Sequence, residues 1–172
     1  SYFFGAEKGD ITGEGTEEII FFITSPTTGT LIYSYAINPG WSLQKVHEPF
    51  YIRSKQKQPT LLSAGLATIY EDKDKEIVLS FGAPDRKVEV INYSGALSSK
   101  TIGKKFLENN VGVITVLTPD INKDNISDIY ILSNNPGPKE EQFFLSPNSK
   151  PEKAKTININ KSIQDVFFFS SE

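Results

Sequence analysis

The chain contains no cysteine and no methionine, and it has a single histidine and a single tryptophan. Missing thiols exclude a disulfide framework, a thiolate metal centre and a cysteine nucleophile, and leave the compartment open. The one histidine, His47, has no serine or cysteine pattern around it that would make a nucleophilic triad, and a surface place is expected for it. No apolar run approaches the roughly 18 residues of a spanning helix, so no direct membrane insertion is expected. The N-terminus lacks the basic start and apolar stretch of a signal peptide. Absence of methionine even at position 1 leads to the expectation of a processed chain or a piece of a longer one. Charge of one sign is also scarce: 18 basic and 21 acidic residues give a formal net charge of -3. No nucleic acid partner is therefore expected. Neither a phosphate-cradling glycine loop nor a nucleophile elbow is found, and the expectation is a protein that is not an enzyme.

What is abundant is the aromatic and apolar set: 12 Phe, 7 Tyr and 38% hydrophobic residues in 172. These types fit a pleated, half-buried surface, and the length allows one domain with a real core. Superimposing the chain on itself reveals a repeat. Glu18 to Ile23, Glu76 to Phe81 and Asp128 to Ser133 are each an acid followed by an apolar strand-like run, and a proline follows each acid by eight places, at Pro26, Pro84 and Pro136. Proline cannot donate to a ladder, so each marks the exit of the same strand.

Each unit reads as four short strands, with no helical period anywhere. The predicted strands are Tyr2 to Ala6, Glu18 to Thr24, Thr30 to Ile37 and Ser42 to His47 in the first unit. Those of the second are Leu61 to Tyr70, Glu76 to Phe81, Lys87 to Tyr93 and Ser99 to Ile102. In the third they are Val111 to Thr118, Asp128 to Ser133, Gln142 to Leu145 and Lys155 to Ile159. Four antiparallel strands repeated at about 50 residues is the arrangement of propeller blades around a channel. The expected fold is all-β, a partial or oligomer-completed β-propeller with blades at about 1–50, 51–105 and 106–163. Phe167 to Glu172 resembles Tyr2 to Glu7, so a further blade is expected to start in 164–172, or a strand there to close an array with another copy.

The connection before each acid carries the chemistry. DINKDNISD, from Asp120 to Asp128, offers oxygen at alternate places: the side chains of Asp120, Asn122 and Asp124, the Ile126 carbonyl, and Asp128 at the ninth position. Calcium takes six to eight hard oxygens and suits such a loop. Asn125 stands at the sixth position, where positive φ is expected and asparagine tolerates it. An EF-hand is excluded, because its twelfth-position glutamate would be Ile131 here. The first unit offers a weaker set at Asp10, Thr12, Glu14, Thr16 and Glu18. The second, with Glu71, Asp72, Asp74 and Glu76 in what reads as a shorter, lysine-interrupted loop, is expected to bind no ion. The alternative for all of these is a solvated Asp/Asn-rich turn.

GDITGEGTEEIIFF, TGTLIYSY and EIVLSFGAP, from Gly9, Thr28 and Glu76 respectively, resemble the FG-GAP (integrin-α-like) repeat. That family combines a GD-x-NGDG-x-x-D calcium loop, an apolar strand ending in GAP and a G-x-VYVY strand. The likeness covers most of all three units, although no one unit has every element, and GAP is missing from the first and third. It implies a propeller, Ca2+ as the bound ion, and an extracellular or cell-surface adhesion role with a protein ligand or partner subunit. A carbohydrate-binding propeller and a noncatalytic accessory part of a secreted enzyme or toxin are the alternatives. Trp41 is expected to pack within a blade, with a sugar-stacking platform as the other option. Asn92-Tyr93-Ser94 and Asn125-Ile126-Ser127 fit the N-glycosylation pattern, which would clash with calcium at Asn125.

Overall fold

The computed structural model describes residues 2–25, 29–53, 61–70, 72–82, 85, 87–102, 112–120, 123–134, 140–145 and 155–159. Pro26, Pro84, Pro136, Glu71, Asn122 and the strand expected in 164–172 lie outside them. Every regular element among the described residues is a strand. The first five are β1 (Tyr2–Gly9), β2 (Glu18–Ser25), β3 (Gly29–Asn38), β4 (Ser42–Lys45) and β5 (Phe50–Ile52). Then come β6 (Leu61–Ala67), β7 (Glu76–Phe81), β8 (Lys87–Tyr93) and β9 (Leu97–Ile102). The last four are β10 (Gly112–Leu117), β11 (Ile129–Asn134), β12 (Glu140–Leu145) and β13 (Lys155–Ile159). They form three antiparallel meanders: β1-β2-β3-β4 with β5 also on β3, β6-β7-β8-β9, and β10-β11-β12-β13.

The three sheets repeat one another down to their irregularities. The register of the first strand pair slips between Phe3 and Gly5, between Leu61 and Ser63, and between Val113 and Thr115. Each slip lies six places before the residue that precedes the nine-residue loop, counting back from Gly9, Ala67 and Pro119. One extra residue at one place in every sheet is a conserved-geometry bulge that increases the local twist. Between sheets the bonding also repeats. The Lys75 amide donates to the Asp10 carbonyl at 2.8 Å, and the Ser127 amide donates to the Thr68 carbonyl at 2.6 Å. Both bonds run from the eighth position of one loop to the first position of the loop before it.

Burial follows from that stacking. Ile20, Phe22, Ile32 and Ile52 of the first sheet pack with Leu61, Ile77, Leu79, Phe81 and Ile91 of the second. The opposite face of the second sheet, Val78, Val88 and Val90, packs with Ala67, Ile69 and Ile129. The whole of β7 is buried, whereas β2 alternates buried with half-buried residues. Alternation is what a strand shows when one face is covered, and a continuous apolar run is what it shows when both are. Each fully buried Leu, Ile or Phe contributes about 1.5–3 kcal/mol.

Several strands differ from expectation: β1 runs on to Gly9 beyond Ala6, β9 begins at Leu97 rather than Ser99, β12 begins at Glu140 rather than Gln142, and β6 ends at Ala67 rather than Tyr70, because Ile69 turns its amide to the Glu76 carboxylate instead of a ladder. Two further differences have identifiable reasons. The fourth strand of the first sheet does not run through to His47: β4 ends at Lys45 and pairing with β3 resumes at Phe50. Pro49 interrupts the ladder because it has no amide to donate. The first unit therefore extends to Ile52 rather than ending at about residue 50. In the third unit β10 stops at Leu117, although β1 and β6 reach the residue immediately before the loop. That place is Pro119, whose carbonyl accepts from the Asp128 amide at 2.7 Å but which has no N–H to return.

Candidate metal loops and exposed aromatics

Between the first and second strands each unit has an equivalent nine-residue segment ending in the acid at the head of the second strand, Asp10 to Glu18, Thr68 to Glu76 and Asp120 to Asp128. The middle loop is thus not shorter than its neighbours. Its first position is Thr68 instead of an aspartate. In each unit the acid at position nine is buried: Glu18, Glu76 and Asp128. Glu18 and Glu76 use it identically. The Ile11 amide donates to Glu18 Oε2 at 2.9 Å, and the Ile69 amide donates to Glu76 Oε2 at 2.6 Å.

The first and third loops share their left-handed positions. Gly13 (φ 73) and Gly15 (φ 81) are left-handed at positions four and six, and so are Lys123 (φ 60) and Asn125 (φ 67). Positive φ costs an L-residue about 1–2 kcal/mol, least for Gly and Asn, so Lys123 is the strained member. A first-position aspartate holds each loop closed. Asp10 Oδ1 accepts from the Gly13 amide at 2.7 Å and Oδ2 from the Gly15 amide at 2.8 Å. Asp120 Oδ1 accepts from the Asp124 amide at 3.2 Å and Oδ2 from the Asn125 amide at 2.8 Å. Asp124 Oδ1 accepts in turn from the Ile126 amide at 2.9 Å. The middle loop differs, since Lys73 at its sixth position is not left-handed.

Electrostatically, the first loop gathers carboxylates. The Thr12 hydroxyl lies 3.4 Å from Asp10 Oδ1 and 3.2 Å from Glu18 Oε1. Burial pushes the Glu18 carboxyl up, the Ile11 amide and Thr12 hydroxyl oppose that, and the charges of Asp10 and Glu14 push it up further. Thr16 and Ile126, expected to offer backbone carbonyls, both occupy the seventh position of their loops. All the donors are hard oxygens, and a carboxylate oxygen that accepts one amide bond retains acceptor capacity. In donor type both loops therefore fit a hard cation. Among the described residues no three Asp, Glu, His or Cys side chains converge into a metal cluster. No protein-family model, curated protein or solved structure matches the chain.

Loops of adjacent units touch. A Cβ added at Gly13 would lie 1.9 Å from Asp74 Oδ1, so any larger residue there must displace the Asp74 carboxylate where the second loop abuts the first. The Asp74 carboxyl is pushed up by burial and then by the charges of Asp72 and Asp10. Glu76 is pushed up to about 7, by burial first and by Asp72 as well. Its Oε1 is buried without a hydrogen-bond partner.

Trp41 does not pack against its sheet as expected. It is 88% exposed with φ 64, at the tip of the β3–β4 hairpin, where its amide donates to the Asn38 carbonyl at 3.1 Å. A four-residue reversal built from Asn38, Pro39 and Gly40 puts the indole outside the sheet, and Leu43 next to it is 54% exposed. His47 is half-buried rather than a free surface residue. Its Nε2 lies 2.8 Å from Ser34 Oγ, and its Nδ1 lies 2.6 Å from the Glu48 carbonyl. Nδ1 donates to that carbonyl, so in the neutral ring Nε2 accepts from Ser34. Ser34 is fully buried, and a hydroxyl shut away from solvent has no access to a substrate. The pair is a tether across the break between β4 and β5, and spacing along the chain carries no signal for it.

Proposed function

We propose that the three units are successive blades of a β-propeller of the FG-GAP type, stiffened by calcium in the first and third loops and serving as a binding or adhesion module at an extracellular or cell-surface location. Its surface would take a protein ligand or partner subunit. The observation that carries this reading is the set of features the first and third loops share: left-handed residues at positions four and six, an aspartate closing the loop from position one, and a buried acid at position nine. The contacts of β1 with β6 and of β6 with β10 also support a radial arrangement, since they bring the first strand of each unit to one side.

In the stronger site Asp120, Asn122, Asp124, the Ile126 carbonyl and Asp128 would hold the ion, and in the weaker one Asp10, Thr12, Glu14, the Thr16 carbonyl and Glu18. Calcium would supply positive charge where carboxylates otherwise repel one another. Thermal unfolding with and without calcium tests the proposal. At a calcium concentration 100-fold above Kd the gain is about 2.7 kcal/mol. Asp120→Ala combined with Asp10→Ala removes the shift, and Asp72→Ala in the middle loop leaves it. No shift at millimolar calcium would refute calcium binding.

Trp41 favours a second reading, carbohydrate binding. An 88% exposed indole held in a strained backbone is a stacking surface that the core does not use. A glycan array with Trp41→Ala tests it: glycan binding that survives the substitution excludes the indole as platform.

A further inference from the structure

The junction of the first two units sets a carboxylate of one on the loop of the other. The Lys75 amide donates to the Asp10 carbonyl at 2.8 Å, which fixes the second loop against the first position of the first loop. One residue earlier, Asp74 lies over Gly13, with Oδ1 and Cγ 1.9 and 2.8 Å from where a Cβ would be. Gly13 is left-handed at position four, and its amide donates to Asp10 Oδ1 at 2.7 Å. Asp74 therefore stands in the place of a position-four side chain, next to the peptide that holds the leading aspartate. The oxygen donors of the first loop are at positions one, three, five, seven and nine, so Asp74 is beside that set and not within it.

Charge makes this contact unfavourable. Burial, then the charges of Asp72 and Asp10, disfavour the ionised Asp74 carboxyl. Within the first loop, Glu18 is subject to burial and to the negative charges of Asp10 and Glu14. Of the two lysines nearby, Lys8 is ion-paired with Glu17, and Lys75 lies against Gly9 with its charge acting on Glu17 as well. The third loop is built otherwise: position four is Lys123, a cation, and position seven, where the second loop has Asp74, is the uncharged Ile126. We infer that Asp74 of the second unit raises the calcium affinity of the first loop, its charge drawing the two units together across a bound ion and driving them apart without one. This rests on calcium occupying the first loop, as proposed above. Asp74 acts through the field at the ion and not as a ligand. Unlike charges attract by the law under which like charges repel, so one carboxylate has opposite effects in the two states.

Calcium titration calorimetry and thermal melts of the full chain test this in an Asp120→Ala background, where the third loop is silenced. Asp74→Asn should weaken calcium binding about three- to tenfold, which is what one unit charge roughly 5–8 Å from a divalent ion gives in a water-like dielectric with moderate salt. The same substitution should raise the Tm in the presence of a chelator, because it removes the repulsion by Asp72 and Asp10. A side chain that only fills space would not move these two readouts in opposite senses. Asp74→Glu keeps the charge and should keep the affinity of its parent. The effect of Asp74→Asn should fade at ~1 M salt, where the screening length is about 3 Å. In an Asp10→Ala background, which leaves the third loop to bind, Asp74→Asn should leave the affinity unchanged.

First-loop affinity that does not change in Asp74→Asn overturns the inference. So does a chelated Asp74→Asn protein that melts below its parent, which would make the contact structural, or an equal loss of affinity in the Asp10→Ala background. Each of those results leaves calcium in the first loop standing. Loss of calcium binding from the Asp120→Ala chain with Asp74 intact removes the first-loop site itself, and the role of Asp74 with it.

Discussion

Replacing Glu76 by glutamine should stabilise the protein at alkaline pH and destabilise it slightly in acid. The carboxyl is fully buried at the start of β7, and burial together with the Asp72 charge pushes it from 4.5 to about 7. The charged form is disfavoured in the fold, so between those values the folded state binds the proton that the unfolded state has released. Stability then falls as pH rises through that window. A shift of ~2.5 pH units at ~1.36 kcal/mol each is about 3 kcal/mol, present in full below pH 4.5 and lost above pH 7. Glutamine retains an oxygen for the Ile69 amide and removes the charge. Its amide nitrogen falls where Oε1 has no partner, at a cost of about 1 kcal/mol. The net expectation is a variant more stable by about 2 kcal/mol at pH 8 and less stable by about 1 kcal/mol at pH 4. Urea unfolding of both proteins across this range measures the difference, which cancels the titration of Glu18 and Asp74. A difference that does not change with pH would refute the argument.

Leu79→Ala should cost about 2–5 kcal/mol in urea unfolding, because the side chain is fully buried between the first and second sheets and the packed strands limit collapse of the cavity. Gly13→Ala should destabilise more than Gly15→Ala in thermal melts. Both have positive φ, worth about 1–2 kcal/mol, but only Gly13 also has Asp74 against it, while nothing lies within 4 Å of a Cβ at Gly15. Trp41→Gly should leave stability unchanged or raise it by up to about 1 kcal/mol, since it relieves a positive φ and removes an aromatic that packs on little.

Much of the architecture was legible along the chain. The acid at the head of each second strand marks the repeat, and Glu76 to Phe81, Lys87 to Tyr93 and Lys155 to Ile159 form strands over the limits that the alternation implies. The left-handed backbone at Asn125 was readable as well, because the need for positive φ and the tolerance of asparagine are both local. The middle loop misled: its lysines and missing first aspartate obscure a length equal to that of its neighbours, which the bond from Ile69 to Glu76 and the bonds of Lys75 and Thr68 to adjacent loops set in register. Trp41 misled differently, since hydrophobicity says that a side chain can be buried but not that a hairpin tip has anything to bury it against.

Composition and periodicity alone determined that this chain is made of strands in three like units, because alternation and turn chemistry act over a few residues. Tertiary structure decided which faces are covered. The same register places hold buried Leu79 in one sheet and half-exposed Phe21 in another, for covering a face depends on the neighbouring sheet and not on the strand that bears it. It likewise decided that Ser34 meets His47 and Gly13 meets Asp74, contacts between residues brought together by the pairing and stacking of sheets.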